Sequence, residues 1–171
     1  MVDAKIRGSL LAMADSLVAP NNRKHCREAV DIDVTKLSPN DFIPVETFNK
    51  YMRALKRRTG KWGPKLIGSR IIPTIYKMGL AGYLDESETI EEAMIAERKI
   101  FTDHNIGPDA GYYKLVYIDD NIAKVETTSH LLPEFHMGVG EGTIRFFDKM
   151  ARGEITKTMD EYGVYEFTFR W

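Results

Sequence analysis

The sequence holds one cysteine, Cys26, in 171 residues. That rules out an intrachain disulfide and leads us to expect a reducing, cytoplasmic setting. No nucleophile signature surrounds Cys26, so it reads as a plain thiol. No stretch reaches the roughly 20 apolar residues of a membrane span. The first apolar positions are interrupted by Asp3, Lys5, Arg7 and Asp15, which is not the pattern of a secretory leader. GxSxG, P-loop, paired CxxC and HxxxH spacings are all missing, so no enzyme class is indicated. His25, His104, His130 and His136 are too scattered for a helical metal site, and His130 with His136 would make at most a two-histidine pair. The net charge of −1 exerts no overall pull on nucleic acid or anionic lipid.

Hydrophobic residues make up 43% and charged residues 29%, the profile of a soluble globular chain. At this length one domain over residues 1–171 is expected, with a core of useful size. In the first half the apolar residues recur at helical spacing. A helix over 4–18 would carry Ile6, Leu10, Met13 and Leu17 on one face and stop at Pro20 and the asparagines after it. Residues 27–34 fit either a helix end or a short strand. A third segment starts beside Pro44 and stops at Gly60, with Phe48, Met52 and Leu55 inward. A fourth carries Leu66, Ile67, Ile71, Ile75 and Met78, with a kink or break expected at Pro73. Thr89 and Glu92 announce a fifth as a capping box.

From Tyr112 the period changes to two. YYKLVYID and IAKVETTS read as a hairpin through Asp119–Asn121, and EITKTM and VYEFTFRW as a second through Asp160–Gly163. Between them Pro133–Met150 reads as a helix. Val139, Thr143, Phe146, Phe147 and Met150 would face inward, with Glu141 and Arg145 outward. Its Gly138-x-Gly140-x-Gly142 lacks the βαβ setting of a dinucleotide site, so close packing explains the glycines better than anion binding. The expected fold is α+β, a helical layer packed on a four-stranded antiparallel sheet, in the order helices then ββαββ.

Charge is unevenly spread. Thr47–Leu84 contains no acid, while Asp85–Asp103 holds many. Basic and acidic helices lying side by side, or across a dimer interface, would account for this. The alternative is an anion or nucleic-acid site on residues 50–77, with Arg57, Arg58 and Lys61 as its cations.

The order of these pieces resembles a known superfamily. IRGSLLAMADSLV, DFIPVETFNKYMRALKRRTG followed by IGSRI, SETIEEAM, LLPEFHMGVGEGTIRFF and the closing YEFTFRW follow one plan. That plan is similar to the ligand-binding superfamily of heme–nitric oxide/oxygen-binding domains, 4-vinyl reductase domains and TRAPP-type trafficking subunits. The resemblance implies a cavity between helices and sheet, holding a heme, a small hydrophobic molecule or an acyl chain, often in a dimer. It implies His104 as the residue placed to ligate a heme. The Tyr-x-Ser-x-Arg motif of the heme branch and the C-terminal cysteines of the reductase branch do not occur. The leading expectation is a non-enzymatic sensory domain that binds a small hydrophobic molecule and signals through association. Tyr51, Ile71, Tyr76, Phe135, His136 and Phe146 are the pocket candidates. The alternatives are a homodimeric interaction module with a filled cavity, a heme gas sensor, and the anion site above.

Overall fold

The computed structural model describes residues 3–77, 86–159 and 164–171, with only the backbone described at positions 76, 77, 157 and 159. The chain opens as a strand, β1 (Lys5–Arg7), and passes straight into α1 (Gly8–Leu17). Ile6 is therefore not on a helix face. It pairs with Ile43 of β2 (Phe42–Pro44) and Asn105 of β3 (Asn105–Ile106), forming a small antiparallel sheet in the order β2-β1-β3. Pro20 does more than follow α1: it starts α2 (Pro20–Arg27), where its missing N–H costs nothing. Of the two readings for 27–34 the helix end is nearer, and Val34 falls in a 3₁₀ turn over Val34–Lys36.

Helix α3 (Val45–Thr59) begins after Pro44 and ends at Gly60, whose φ of 67° suits glycine. The next helix, α4 (Trp62–Lys77), runs on past Pro73 as one element. Because proline donates no N–H, the Ser69 carbonyl loses its usual donor four residues on. Helix α5 (Ile90–His104) starts with the full capping box of Thr89 and Glu92.

The main sheet contains β4 (Tyr113–Asp119), β5 (Ile122–Thr127), β6 (Arg152–Met159) and β7 (Val164–Arg170), all antiparallel, in the order β4-β5-β7-β6. The Asp120–Asn121 turn closes the first hairpin, with Asp119 opposite Ile122. The turn read at Asp160–Gly163 lies outside the described residues. Val125 faces Phe167 across β5 and β7, and Ala123 faces Phe169. These four side chains pack under Met94 of α5 and Ile144 of the last helix.

That helix, α6 (Pro133–Phe146), sits between sheet and helical layer, and its glycines explain how. A Cβ at Gly140 would meet the Phe169 ring at 2.4 Å. Cβ atoms at Gly138 and Gly142 would meet the Lys65 carbonyl at 2.0 Å and the Ser69 carbonyl at 2.6 Å. One face of α6 thus touches the sheet and the other touches α4 backbone to backbone, so close packing does account for the three glycines. Surrounded in this way, α6 has no solvent stripe over most of its length. Glu141, expected outside, is buried and accepts from Lys65 Nζ at 2.7 Å and from the Gly153 N–H at 2.7 Å. The helix also stops earlier than expected, at Phe146, and Met150 is 77% exposed.

Among the described residues, the ion pairs of the basic segment do not reach the acids of α5. Lys56 pairs with Glu134 of α6 at 2.6 Å, Lys65 with Glu141, Arg53 with Glu46 at 2.6 Å, and Lys50 with Asp31 at 3.6 Å. Two buried carboxylates on α6, rather than an acidic neighbour helix, match part of the positive charge.

Candidate functional site

Where α5, α6 and β4 meet the end of α4, the packing leaves a cavity of about 60 Å³. Ile71, Ile72 and Ile75 of α4 form one apolar wall, and Leu131, Phe135 and Val139 another. Leu10 of α1 covers one side. The polar groups come from Glu97 and His104 on α5, Asn105 on β3, Tyr113 on β4 and His136 on α6.

His136 stands in an aromatic box. Its ring lies 6.1 Å from Phe101, 6.3 Å from Phe135 and 6.4 Å from Phe167, centroid to centroid. Removed from water, its pKa is pushed down to about 4 by burial, so the ring is neutral at pH 7. Glu97 shows the opposite case of the same physics. Burial pushes its carboxyl up to about 7, and the hydroxyls of Thr143, which donates to it, and of Tyr113, which faces it, only partly oppose this. The Tyr113 hydroxyl, next to Glu97, is raised well above its ordinary value, first by burial and then by the Glu97 charge.

These shifts set opposite dependences of stability on pH. Folded Glu97 holds its proton more tightly than the unfolded chain does. Its contribution is therefore complete below about pH 4 and is lost as pH rises through about 7, roughly 3 kcal/mol in all. His136 contributes above about pH 6.5 and loses a similar amount as pH falls toward 4. Between these limits the two largely cancel. Glu97→Gln removes one side of the balance. Relative to wild type, the variant is expected to gain about 3 kcal/mol between pH 4.5 and 7.5, measured by urea denaturation. A difference independent of pH would show that Glu97 is not a buried acid.

His104 occupies the last turn of α5. Its Nδ1 lies 2.8 Å from the Ile100 carbonyl, and burial lowers its pKa, with the Ile100 hydrogen bond opposing. At the end of a helix an imidazolium would be favourable against the dipole. Burial favours a neutral ring instead, with Nδ1–H donating to Ile100 and Nε2 left with a lone pair. The same ring forms part of the wall of an outer cleft of about 510 Å³, bordered by Arg7, Met13, Leu37 and Pro39. His104 thus stands between the inner cavity and an opening toward solvent.

Of the pocket candidates, Ile71, Phe135 and His136 come together here. Tyr51 does not: it is buried among α1, α2 and α3, where its hydroxyl donates to Asp15 Oδ1 at 2.8 Å. Phe146 packs edge-on to Phe147 at 5.4 Å and is not part of the lining. The side chain of Tyr76 lies outside the described residues. Arg57, Arg58 and Lys61 are exposed, and Arg58 Nε donates to Asn22 Oδ1 at 2.9 Å. Glu97 and Tyr113 were not anticipated as site residues. The signal was present for Glu97: it falls on the stripe of Ile90, Ala93, Met94 and Phe101, an acid where α5 is otherwise apolar.

The architecture is thus a helical layer on a four-stranded antiparallel sheet, with a histidine ending the helix before the sheet. No protein-family model matches the sequence, and no curated protein matches it either. Solved structures do match. An Fe(II) unliganded H-NOX protein from K. algicida superposes with a TM-score of 0.72 at 12% identity, covering 96% of each chain. An oxygen-binding H-NOX domain related to soluble guanylate cyclases superposes at 0.70 and 11% identity, over 96% of this chain and 93% of that one. A structure solved to probe heme distortion in the H-NOX family gives 0.72 at 12% identity, over 96% and 93%. At such identities the likeness is one of fold. It supports the H-NOX part of the resemblance drawn from sequence; the reductase and trafficking branches find no counterpart among these structures.

Proposed function

We propose that the chain is a single sensory domain, residues 1–171, that takes a small molecule into the cavity beside His104 and reports it by association with another chain. The observation that carries this reading is a partly polar cavity set between α4, α5 and α6 in a chain with the H-NOX fold. Ligand binding can signal only if two states of the protein bind the ligand differently. Helix α4 suits that task. Its Ile71, Ile72 and Ile75 wall the cavity, while Trp62 and Leu66, one turn apart near its start, are 73% and 46% exposed. A shift of α4 would alter that apolar surface, which supports self-association as the output. No catalytic role is proposed.

Heme is the ligand the fold nominates, and His104 is the residue that would hold it. The ring is prepared as a ligand is, neutral and with Nδ1 on a backbone carbonyl. The surroundings do not fit a porphyrin. The cavity is several-fold smaller than the roughly 300 Å³ at which ligand pockets begin. Among the described residues its lining contains no lysine or arginine to meet propionates. We therefore route no step through heme.

Native mass spectrometry of the freshly purified chain, with hemin titration alongside, tests the proposal. A small ligand is expected on the folded protein, lost on denaturation and expelled by Ile71→Trp, which fills the cavity. Hemin is expected to give no stoichiometric Soret band. A band at one equivalent that His104→Ala removes would replace this reading with the heme one. A bare chain that also ignores hemin would overturn both.

A further inference from the structure

Six buried side-chain polar atoms among the described residues lack a hydrogen-bond partner. Three of them, Glu97 Oε2, Tyr113 Oη and His136 Nε2, belong to residues lining the same cavity; Glu97 and Tyr113 face each other at the edge of hydrogen-bond reach, while His136 Nε2 has no partner among the described residues. The three residues are 3%, 7% and 8% exposed, so bulk water does not complete them. They come from α5, β4 and α6, three separate elements that converge on one space. Folded chains rarely leave such atoms bare unless something outside the chain satisfies them.

We propose that Glu97, Tyr113 and His136 together bind an uncharged polar molecule of about two to four heavy atoms. The size follows from the cavity of about 60 Å³, which matches about two water molecules in the liquid. The absence of charge follows from the walls. Among the described residues the lining contains no lysine or arginine to balance an anion. A cation would find Glu97 as its one counter-charge among the described lining residues, with one oxygen already accepting from Thr143, and would give up its water for isoleucine and phenylalanine. The molecule must offer both a donor and an acceptor. Tyr113 can do either, Glu97 Oε2 does one or the other with its proton, and His136 Nε2 follows its tautomer. A short primary amide or a short alcohol has this chemistry; an apolar gas would leave His136 Nε2 bare. His104, shared with the outer cleft, stands on the route in. The inference rests on reading this cavity as the sensory site and names the class of ligand it takes.

The test is methyl NMR on the full chain, titrated with formamide, acetamide and ethanol. At least one probe is expected to shift the Ile71, Ile75 and Leu131 methyls to saturation while Ile43, distant in β2, stays put. Tyr113→Phe and Glu97→Gln, both nearly isosteric, are each expected to raise the apparent Kd about fivefold or more. The wild-type titration can overturn the proposal alone: if no probe saturates, the site holds only water. Saturation that both variants leave unchanged would also overturn it, by showing that these polar groups do not bind. A co-purified ligand expelled by Ile71→Trp, with no probe bound, would keep the sensory reading and remove this one. Probe binding with no change in self-association would do the reverse.

Discussion

Gly138→Ala is expected to destabilise the protein by about 3 kcal/mol or more in urea denaturation, enough to unfold a marginal domain. The new Cβ would lie 2.0 Å from the Lys65 carbonyl oxygen and 2.9 Å from both the Lys65 carbonyl carbon and the Ser69 nitrogen. All three belong to the α4 backbone and cannot rotate aside as a side chain would. The contact is mutual, since a Cβ on Gly68 would come within 2.2 Å of the Phe135 carbonyl oxygen. Pro73 adds a reason for the close approach. It leaves the Ser69 carbonyl without its helical donor, and that carbonyl is turned to Gly142, whose Cα–H is a weak substitute. Gly60→Ala is the control. Its φ of 67° and ψ of −165° belong to a region that is nearly glycine's own, but nothing lies within 4 Å, so it should cost about 2 kcal/mol of backbone strain with no clash added. Equal losses at the two positions would mean that α4 and α6 do not touch through their backbones.

The same helix shows where sequence pattern is informative and where it fails. Period-two alternation from Tyr112 onward announces the strands because one face of that sheet is buried, and burial enforces alternation. Thr89 with Glu92, and Gly60 after the third helix, mark their boundaries through local hydrogen bonding and local φ, which need no tertiary knowledge. The sheet of β1, β2 and β3 was invisible because strands of two or three residues are too short to show a period. Ile6 satisfies a helical stripe as well as it satisfies a strand. Glu141 was misplaced because the stripe argument assumes a wet face, and α6 is wrapped by α4 on one side and β6 and β7 on the other. His104 and His136 could be named from sequence, but not their convergence with Glu97 and Tyr113, which depends on how α5 lies across β4.

Asp15→Ala is the second large loss we expect, about 3 kcal/mol, because it leaves the buried Tyr51 hydroxyl without an acceptor and takes the carboxylate from Arg27. Asp15 is buried in α1 and accepts from Arg27 Nε at 2.9 Å, Arg27 Nη2 at 2.5 Å and the Tyr51 hydroxyl at 2.8 Å, with Arg23 Nε 3.9 Å away. Without the carboxylate, the Tyr51 hydroxyl has no acceptor in a core that water does not reach, and Arg27 loses its partner. Asp15→Asn keeps the shape and one acceptor oxygen, so about half the loss is expected. A double-mutant cycle with Tyr51→Phe should show coupling of about 1 kcal/mol or more, since the two groups share one hydrogen bond. Strict additivity would mean that the bond contributes nothing. Cys26 supplies a local readout of the same network. It is fully buried beside this cluster, and its thiol is pushed up to about 11, first by burial and then by the Asp15 charge. In wild type it should resist thiol reagents. In Asp15→Ala, labelling should accelerate in step with the lost stability if Cys26 reacts only when the chain unfolds. Labelling that outruns the stability loss would locate the opening in α1 and α2 alone, leaving the cavity at the far end of α1 intact.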